Sequence, residues 1–428
     1  MHWRNGHWCR FVAVVLALVL MLPVLAACGG GGEEEETFTS SPTLTATVAP
    51  TVTPTPTATP TSTATPTPTP AGPVKIGVPH DWTGAWAISG MYYADRLIKL
   101  VSKQVEDQGG ILGGRELKLL KYDGASTLAG IITAATKAVT QDHVSAMVLG
   151  GTASVNGTAL SEYAEENKTL YVDLFILPQD ISNLKYTIRP GYRLDEMMIF
   201  AEYATKVLGA KTAGVLCRDF EETRWYGQEW RKIMEAAGGK MVYEDYYSLG
   251  VSDFSSYLTK IKYANPDVLF TDMPQGDYVN IASQMQGLGG WGKTKIFCQM
   301  AGVFAVGKPG TEGWYIYARW LPGLLDNPGS NKFRQDYKAM FNTEPDAIFC
   351  LMYDPFWWAI KAIELAGTDE PEAVARAARS GNLIWESPEG LQKIGTDGEP
   401  TPKTRLLAQV QGGKLVAVQL PSDLSIVP

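Results

Sequence analysis

Val74-Lys-Ile-Gly-Val-Pro-His80 reads as a buried strand, and the pattern that follows it decides the fold. A helical pattern runs over 86–106, a strand over 116–122, a helix over 128–141 and a strand over 146–150. Residues 156–166 are helical again and 169–175 extended. Short apolar strands alternating with longer amphipathic segments imply βαβ units, and hence a parallel sheet with helices on both faces. The alternation breaks in a polar stretch around Arg189-Pro190-Gly191 and then restarts. Helices are expected over 195–208, 227–237, 254–263 and 278–286, with strands over 212–217, 241–246, 267–271 and 295–299. The fold class is therefore α/β, as two lobes with a boundary near residue 190. The late helical patterns at 331–341 and 355–366 must cover something already built.

Composition narrows the functional classes. The chain has 428 residues and a formal net charge of -8, so no basic surplus marks a nucleic-acid binder. Of its 4 His, His2 and His7 lie at the extreme N-terminus, leaving His80 and His143 in the body. A His-rich metal centre is excluded, and no metal site or cofactor is expected. Cys217, Cys298 and Cys350 are an odd set in the body, so one disulfide at most is possible and its pairing is not readable.

The N-terminal segment is organised differently. Arg4 and Arg10 precede an apolar run over 11–25, broken only by Pro23. The run is short for a membrane span and fits a signal-peptide core. It ends in Leu25-Ala-Ala-Cys28-Gly29, which resembles the bacterial lipobox. That resemblance implies a signal peptide over 1–27 and a lipid on the Cys28 thiol; a plain secretory signal with an incidental Cys is the alternative. Residues 28–73 read as a tether. After the acidic Glu33 to Glu36 cluster, residues 37–70 hold 15 Thr and 8 Pro, which cannot build a core. Extended at about 3.1 Å per residue, the tract would reach roughly 100 Å.

Two motif matches fail on context. Gly287-Leu-Gly-Gly-Trp-Gly-Lys293-Thr294 fits GxxxxGK[ST], and Gly287, Gly289 and Gly292 fit GxGxxG. Phosphate cradles need a strand before the glycines and a helix after them. Here a helix precedes and a strand follows, so the glycines read as a helix end and loop. Asp219-Phe-Glu-Glu222 reads as a solvated acidic loop. HExxH, CxxC and GxSxG are absent from the sequence, and no catalytic residue is proposed.

Several stretches, in order, resemble type I periplasmic binding proteins, specifically the branched-chain amino-acid and amide-binding group of ABC importers. They are Val74-Lys-Ile-Gly-Val with Asp81-Trp-Thr-Gly84, Glu106-Asp-Gln-Gly-Gly-Ile-Leu-Gly-Gly114, Leu119-Leu-Lys-Tyr-Asp123, Val148-Leu-Gly-Gly-Thr-Ala-Ser154, Trp225-Tyr226-Gly227, and Phe254-Ser-Ser-Tyr-Leu-Thr-Lys-Ile261 with Asn265-Pro-Asp-Val-Leu269. The similarity spans nearly all of 74–400. It implies two Rossmann-like lobes joined by a hinge, with the ligand in the inter-lobe cleft. Lobe one would take 74–190 and about 320–385; lobe two, about 191–319 and 386–428. The function implied is capture of a small organic ligand for an ABC permease, by a monomer held to the outer face of the membrane. A ligand-sensing receptor of the same fold is the alternative; an extracellular enzyme would need a nucleophile–base pair that neither His80 nor His143 announces.

The resemblance also implies site positions. Ser154 falls where a hydroxyl and neighbouring amides hold a ligand carboxylate, though it would equally serve as a helix N-cap. Tyr226 closes the pocket from lobe two. Thr83 and Trp86 lie on the first βα connection, and Asp272 and Gln275 follow the strand ending at Thr271. Trp86, Phe175, Trp225 and Tyr226, with Trp82, would form an aromatic cleft, while Arg224 would either pair a carboxylate or stay on the surface. Two departures stand out. The Thr and the acid that hold an ammonium in amino-acid-binding members become Leu177 and Ala301. The first-lobe disulfide is missing, with Ser126 and Ala153 near its positions. An unpartnered buried ammonium is costly. The expected ligand is therefore an apolar or aromatic organic acid, amide or amino-acid-like compound, with Asp272 as the candidate replacement acid.

Overall fold

The computed structural model describes residues 72–174, 181–190, 198–402, 405–421 and 424. The leader, Cys28, the tether up to residue 71, Phe175 and Leu177 lie outside them. The first half follows the alternation closely: β1 (Val74–His80), a π-helical turn (Ser89–Ala94), α1 (Asp95–Asp107), β2 (Leu117–Asp123), α2 (Leu128–Thr140), β3 (Ala146–Leu149), α3 (Ser154–Asn167), β4 (Leu170–Asp173) and β5 (Thr187–Ile188). These strands form one parallel sheet in the order β2-β1-β3-β4-β5. The order reverses at β1, which opens a crevice beyond the C-terminal strand ends.

After the crossing come α4 (Ile199–Glu202), β6 (Thr212–Arg218), α5 (Glu221–Ala236), β7 (Lys240–Tyr247), α6 (Ser255–Ala264), β8 (Val268–Asp272), α7 (Gln275–Gly287), β9 (Lys295–Cys298), a 3₁₀ turn (Met300–Ala305) and β10 (Tyr315–Ala318). The chain then returns to the first sheet with α8 (Pro328–Phe341), α9 (Ala347–Ala366) and α10 (Pro371–Ala378). A small antiparallel sheet follows, of β11 (Leu383–Ser387), β12 (Gly390–Ile394) and β13 (Pro400–Thr401). Finally β14 (Leu406–Gln411) and β15 (Lys414–Val418) extend the second sheet, whose order is β15-β14-β10-β9-β8-β6-β7.

Each sheet is covered on both faces. On the first, the apolar stripe Leu97, Leu100, Val101 and Val105 of α1 packs with Trp358, Ile360 and Ile363 of α9 against Val74, Ile76 and Val78. Its spacing is that of one face of a helix. The opposite face takes Ile131, Ala135 and Leu160 over Met147 and Tyr171. In the second lobe, Trp230 stacks on Phe270 at 5.5 Å, while Leu258, Ile281 and Trp314 cover the other side. The late helices thus belong to the first core. Leu383 and Ile394 are also part of it, and the chain rejoins the second sheet at Leu406.

Several elements differ from the sequence reading. α9 begins at Ala347, not near Pro355, because the Asp346 carboxylate caps the Ile348 and Phe349 amides. Pro355 then sits inside the helix. β10 and β11 to β15 were not expected; most are short, and β15 is largely exposed, so they lack a strong periodic signal. The glycine motif behaves as its context implies: Gly287 ends α7, Gly289, Gly290 and Gly292 have positive φ, and β9 follows. Lys293 bonds Asp267 at 2.6 Å.

Two buried ion pairs tie the crossing segments together. Arg189, which follows β5, donates through Nε to Glu399 at 2.8 Å. Arg319, which follows β10, lies 2.6 Å from Glu389 and bonds the Pro190 carbonyl. Removing one partner of a buried pair strands the other charge. Glu399→Ala is therefore expected to lower stability by about 3–5 kcal/mol in urea denaturation, and Arg189→Met with Glu399→Leu by distinctly less. Equal losses in both would show that Arg189 is not held by charge pairing.

Candidate ligand-binding site

The C-terminal ends of β1, β3, β6, β8 and β9 deliver residues from both lobes to one cavity of about 150 Å³. On the first wall, the β1 connection supplies Trp86, Ser89 and Tyr93, and the β3–α3 turn supplies Thr152 and Ser154. Gly150 and Gly151 of that turn have φ of +86° and +83°. A Cβ on Gly150 would lie 1.9 Å from the Tyr171 hydroxyl, so only glycine fits. The Thr152 amide donates to Asp81 Oδ2 at 2.8 Å, and the Gly151 amide to His80 Nδ1 at 3.1 Å.

That second bond fixes the role of His80. Its Nδ1 accepts, so its Nε2 carries the proton and donates to Ser89 Oγ at 2.8 Å. Complete burial lowers its pKa to about 3, so the ring is neutral and positions Ser89. The Thr152 hydroxyl oxygen is enclosed without a hydrogen-bond partner. Ser154 is the first residue of α3; Ala153 stands at the cap position, where no side-chain cap bond forms. The hydroxyl of Ser154 therefore does not cap the helix.

The second wall carries the charge. Arg218 ends β6, pairs with Glu222 at 3.2 Å, and lies 4.9 Å over the Phe220 ring and 5.7 Å from the Trp86 ring. Trp86 belongs to the first wall and meets Phe220 at 6.2 Å, so the walls touch at this edge. Tyr226 projects from α5, while Asp272 ends β8, Gln275 begins α7 and Ala301 follows β9. Met273, Met300 and Met352 add soft apolar surface, which adapts to irregular shapes. Tyr93 reaches behind the cavity to Asp346 at 3.3 Å, and burial pushes that carboxyl up to about 6.

The cavity thus gathers Trp86, Ser154, Tyr226, Asp272 and Gln275 from the expected set. Thr83 is not among its lining residues: it is exposed, and its amide and hydroxyl bond Asp123 at 3.1 and 2.6 Å. Trp225 packs edge-on against Tyr226 at 5.7 Å and does not border the cavity. Trp82 lies instead beneath the Lys121 ammonium. Arg224 forms a surface fork with Asp219 at 2.6 and 2.8 Å. Sequence reasoning missed Arg218, because it ended that strand one residue early, and took Glu222 for part of a solvated cluster. The strand-end rule would have flagged Arg218. Cys217, Cys298 and Cys350 are free, buried thiols. Among the described residues, no group of three His, Cys, Asp or Glu is placed to hold a metal.

A cavity between two α/β lobes, at the C-terminal ends of their strands, is the arrangement of a two-lobed solute-binding protein. Residues 73–414 match the family model described as periplasmic binding protein, and the chain belongs to that family. It is 25% identical over 334 residues to the Leu/Ile/Val-binding protein BraC3 of Rhizobium johnstonii, covering 74% of this chain and 86% of that one. The leucine-binding protein LivK of Thermotoga maritima superposes with a TM-score of 0.69 at 24% identity, covering 81% of this chain and 98% of LivK. A solute-binding protein of an ABC transporter from R. palustris, in complex with benzoate, gives 0.70 at 20%, covering 81% and 96%.

Asp272 is the unusual group. It is buried, and burial raises its pKa from 3.8 to about 6, with Arg218 opposing and Glu222 adding to the shift. The unfolded carboxyl ionises earlier, so the folded state loses stability as pH rises from about 4 to 6 and stays lower above that. At about 1.4 kcal/mol per unit the loss is up to roughly 3 kcal/mol. Ligand-free Asp272→Asn should therefore melt higher than the parent at pH 7.5 and equally at pH 4. A lower melting temperature at pH 7.5 would contradict this account.

Proposed function

We propose that this protein captures a small organic solute outside the cytoplasm for an ABC importer, closing its two lobes around the ligand and presenting the closed form to the permease. The observation that carries this is the cavity between the lobes, walled by Trp86, Tyr226, Met273, Met300 and Met352 from both of them. Binding from both walls lets occupancy select the closed arrangement. Trp86, Ser154, Tyr226, Asp272 and Gln275 are the proposed contacts. The ligand is an organic acid, amide or amino-acid-like compound with an apolar or aromatic body. Cys28 is the proposed lipid attachment point; among the described residues no helix is long and apolar enough to cross a membrane.

A thermal-shift screen of branched-chain amino acids, aliphatic amides, aromatic acids, dicarboxylates, sugars and nucleotides tests the reading. A ligand at 100 times its dissociation constant adds about 2.7 kcal/mol. A shift is expected with members of the first three groups, and one confined to sugars or nucleotides would refute the assignment. For the ligand found, Tyr226→Ala should weaken binding at least tenfold, whereas Thr83→Ala should change it less than twofold. Cys28→Ser should move the protein from the detergent phase to the aqueous phase in a partition experiment.

A further inference from the structure

His80 is fully buried at the end of β1 and does not border the cavity, yet its ring passes a hydrogen-bond direction into it. The Gly151 amide has only a proton to give, so Nδ1 accepts at 3.1 Å. The neutral ring then carries its proton on Nε2, which donates to Ser89 Oγ at 2.8 Å. A hydroxyl that accepts from His80 still has its own proton to donate. Among the described residues the acceptor it meets is Met352 Sδ at 3.9 Å, and a thioether accepts weakly. Ser89 borders the cavity, so a ligand oxygen can supply the stronger acceptor.

The backbone holds this hydroxyl in place. Ser89 opens the π-helical turn Ser89–Ala94, and its amide donates to the Trp86 carbonyl at 2.8 Å. Turns of this kind recur at functional sites. The next residue is Gly90, where a Cβ would lie 2.4 Å from the Asp81 carbonyl oxygen. Only glycine permits so close an approach, which presses the turn onto the end of β1 and Ser89 onto His80. The imidazole ring stands between Ser89 and the Gly151 amide. Ser89 therefore addresses a different part of a ligand from the Thr152–Ser154 turn. Ile348, one helical turn from Met352 on α9, is also in the lining, so the surface on this side is apolar.

We infer that Ser89, oriented by His80, is a specificity-determining residue that donates to an acceptor oxygen on the body of the captured solute: an ether, ketone or ester oxygen. The inference rests on the solute-binding reading and narrows its ligand class, from a wholly hydrocarbon body to an oxygen-bearing one. Discrimination follows from what each body does to the hydroxyl. A hydrocarbon covers it and leaves it the sulfur alone, whereas an ether oxygen takes its proton.

The test is calorimetric titration of the whole protein with three pairs in which an ether oxygen replaces one methylene: norvaline and O-methylserine, 4-ethylbenzoate and 4-methoxybenzoate, pentanamide and 3-methoxypropanamide. In whichever pair binds, the ether is expected to bind about tenfold more tightly. Ser89→Ala should erase that preference. A Ser89 that merely packed beneath Met352 would leave the ratio unmoved, whatever the substitution did to the melting temperature. If Ser89→Ala does not fold, Ser89→Cys, a weaker donor of similar shape, should reduce the preference severalfold. If only another member of the thermal-shift panel binds, that compound and its own ether analogue take the place of the pairs. Equal or tighter binding of every methylene partner, or an ether preference that survives the Ser89 substitution, overturns the inference and leaves the solute-binding role intact. No binding by these six compounds or by any member of the panel overturns both.

Discussion

A parallel sheet must be covered on both faces, and in this chain the helices that cover the first sheet do not all come from its own half. Val74, Ile76 and Val78 are buried only when Trp358, Ile360 and Ile363 return from beyond the second lobe. Each such side chain contributes roughly 1.5–3 kcal/mol on burial. The first core therefore depends on chain that has already passed through the second lobe. The crossings follow from that requirement, and so does the cleft between the lobes.

The crossings pass through a buried region where charge, not apolar packing, sets the geometry. Arg189 and Arg319 are nearly inaccessible, and each meets a glutamate from the small β11–β13 region. Buried pairs of this kind add little net stability but resist separation. They fix the crossing segments to one another, while the sheets on either side keep their own cores.

The cleft inverts this logic. On the first wall His80 is neutral and spends both ring nitrogens on Gly151 and Ser89, while the Thr152 hydroxyl and Asp81 Oδ1 are buried without a partner. On the second wall Arg218 and Glu222 pair, yet Asp272 is left buried without a donor. A sequence selected for stability alone would place an amide or an apolar residue there. Perturbed buried carboxyls of this kind concentrate at functional sites.

The strand and helix alternation and the rejection of the glycine motif were legible in the sequence. Each rests on local periodicity or on the order of neighbouring elements, which a linear reading preserves. Tyr226, Ser154, Trp86, Asp272 and Gln275, which line the cavity, were named from the resemblance and not from local pattern. The sequence could not show that α9 closes the first core, that Glu222 turns into the cavity while Asp219 stays at the surface, or that Thr83 and Trp225 lie outside it. Those placements depend on contacts between residues forty or more positions apart, or on a helix phase offset by a residue or two. Only the tertiary structure decided them, because side-chain direction and burial are set by what packs from elsewhere in the chain.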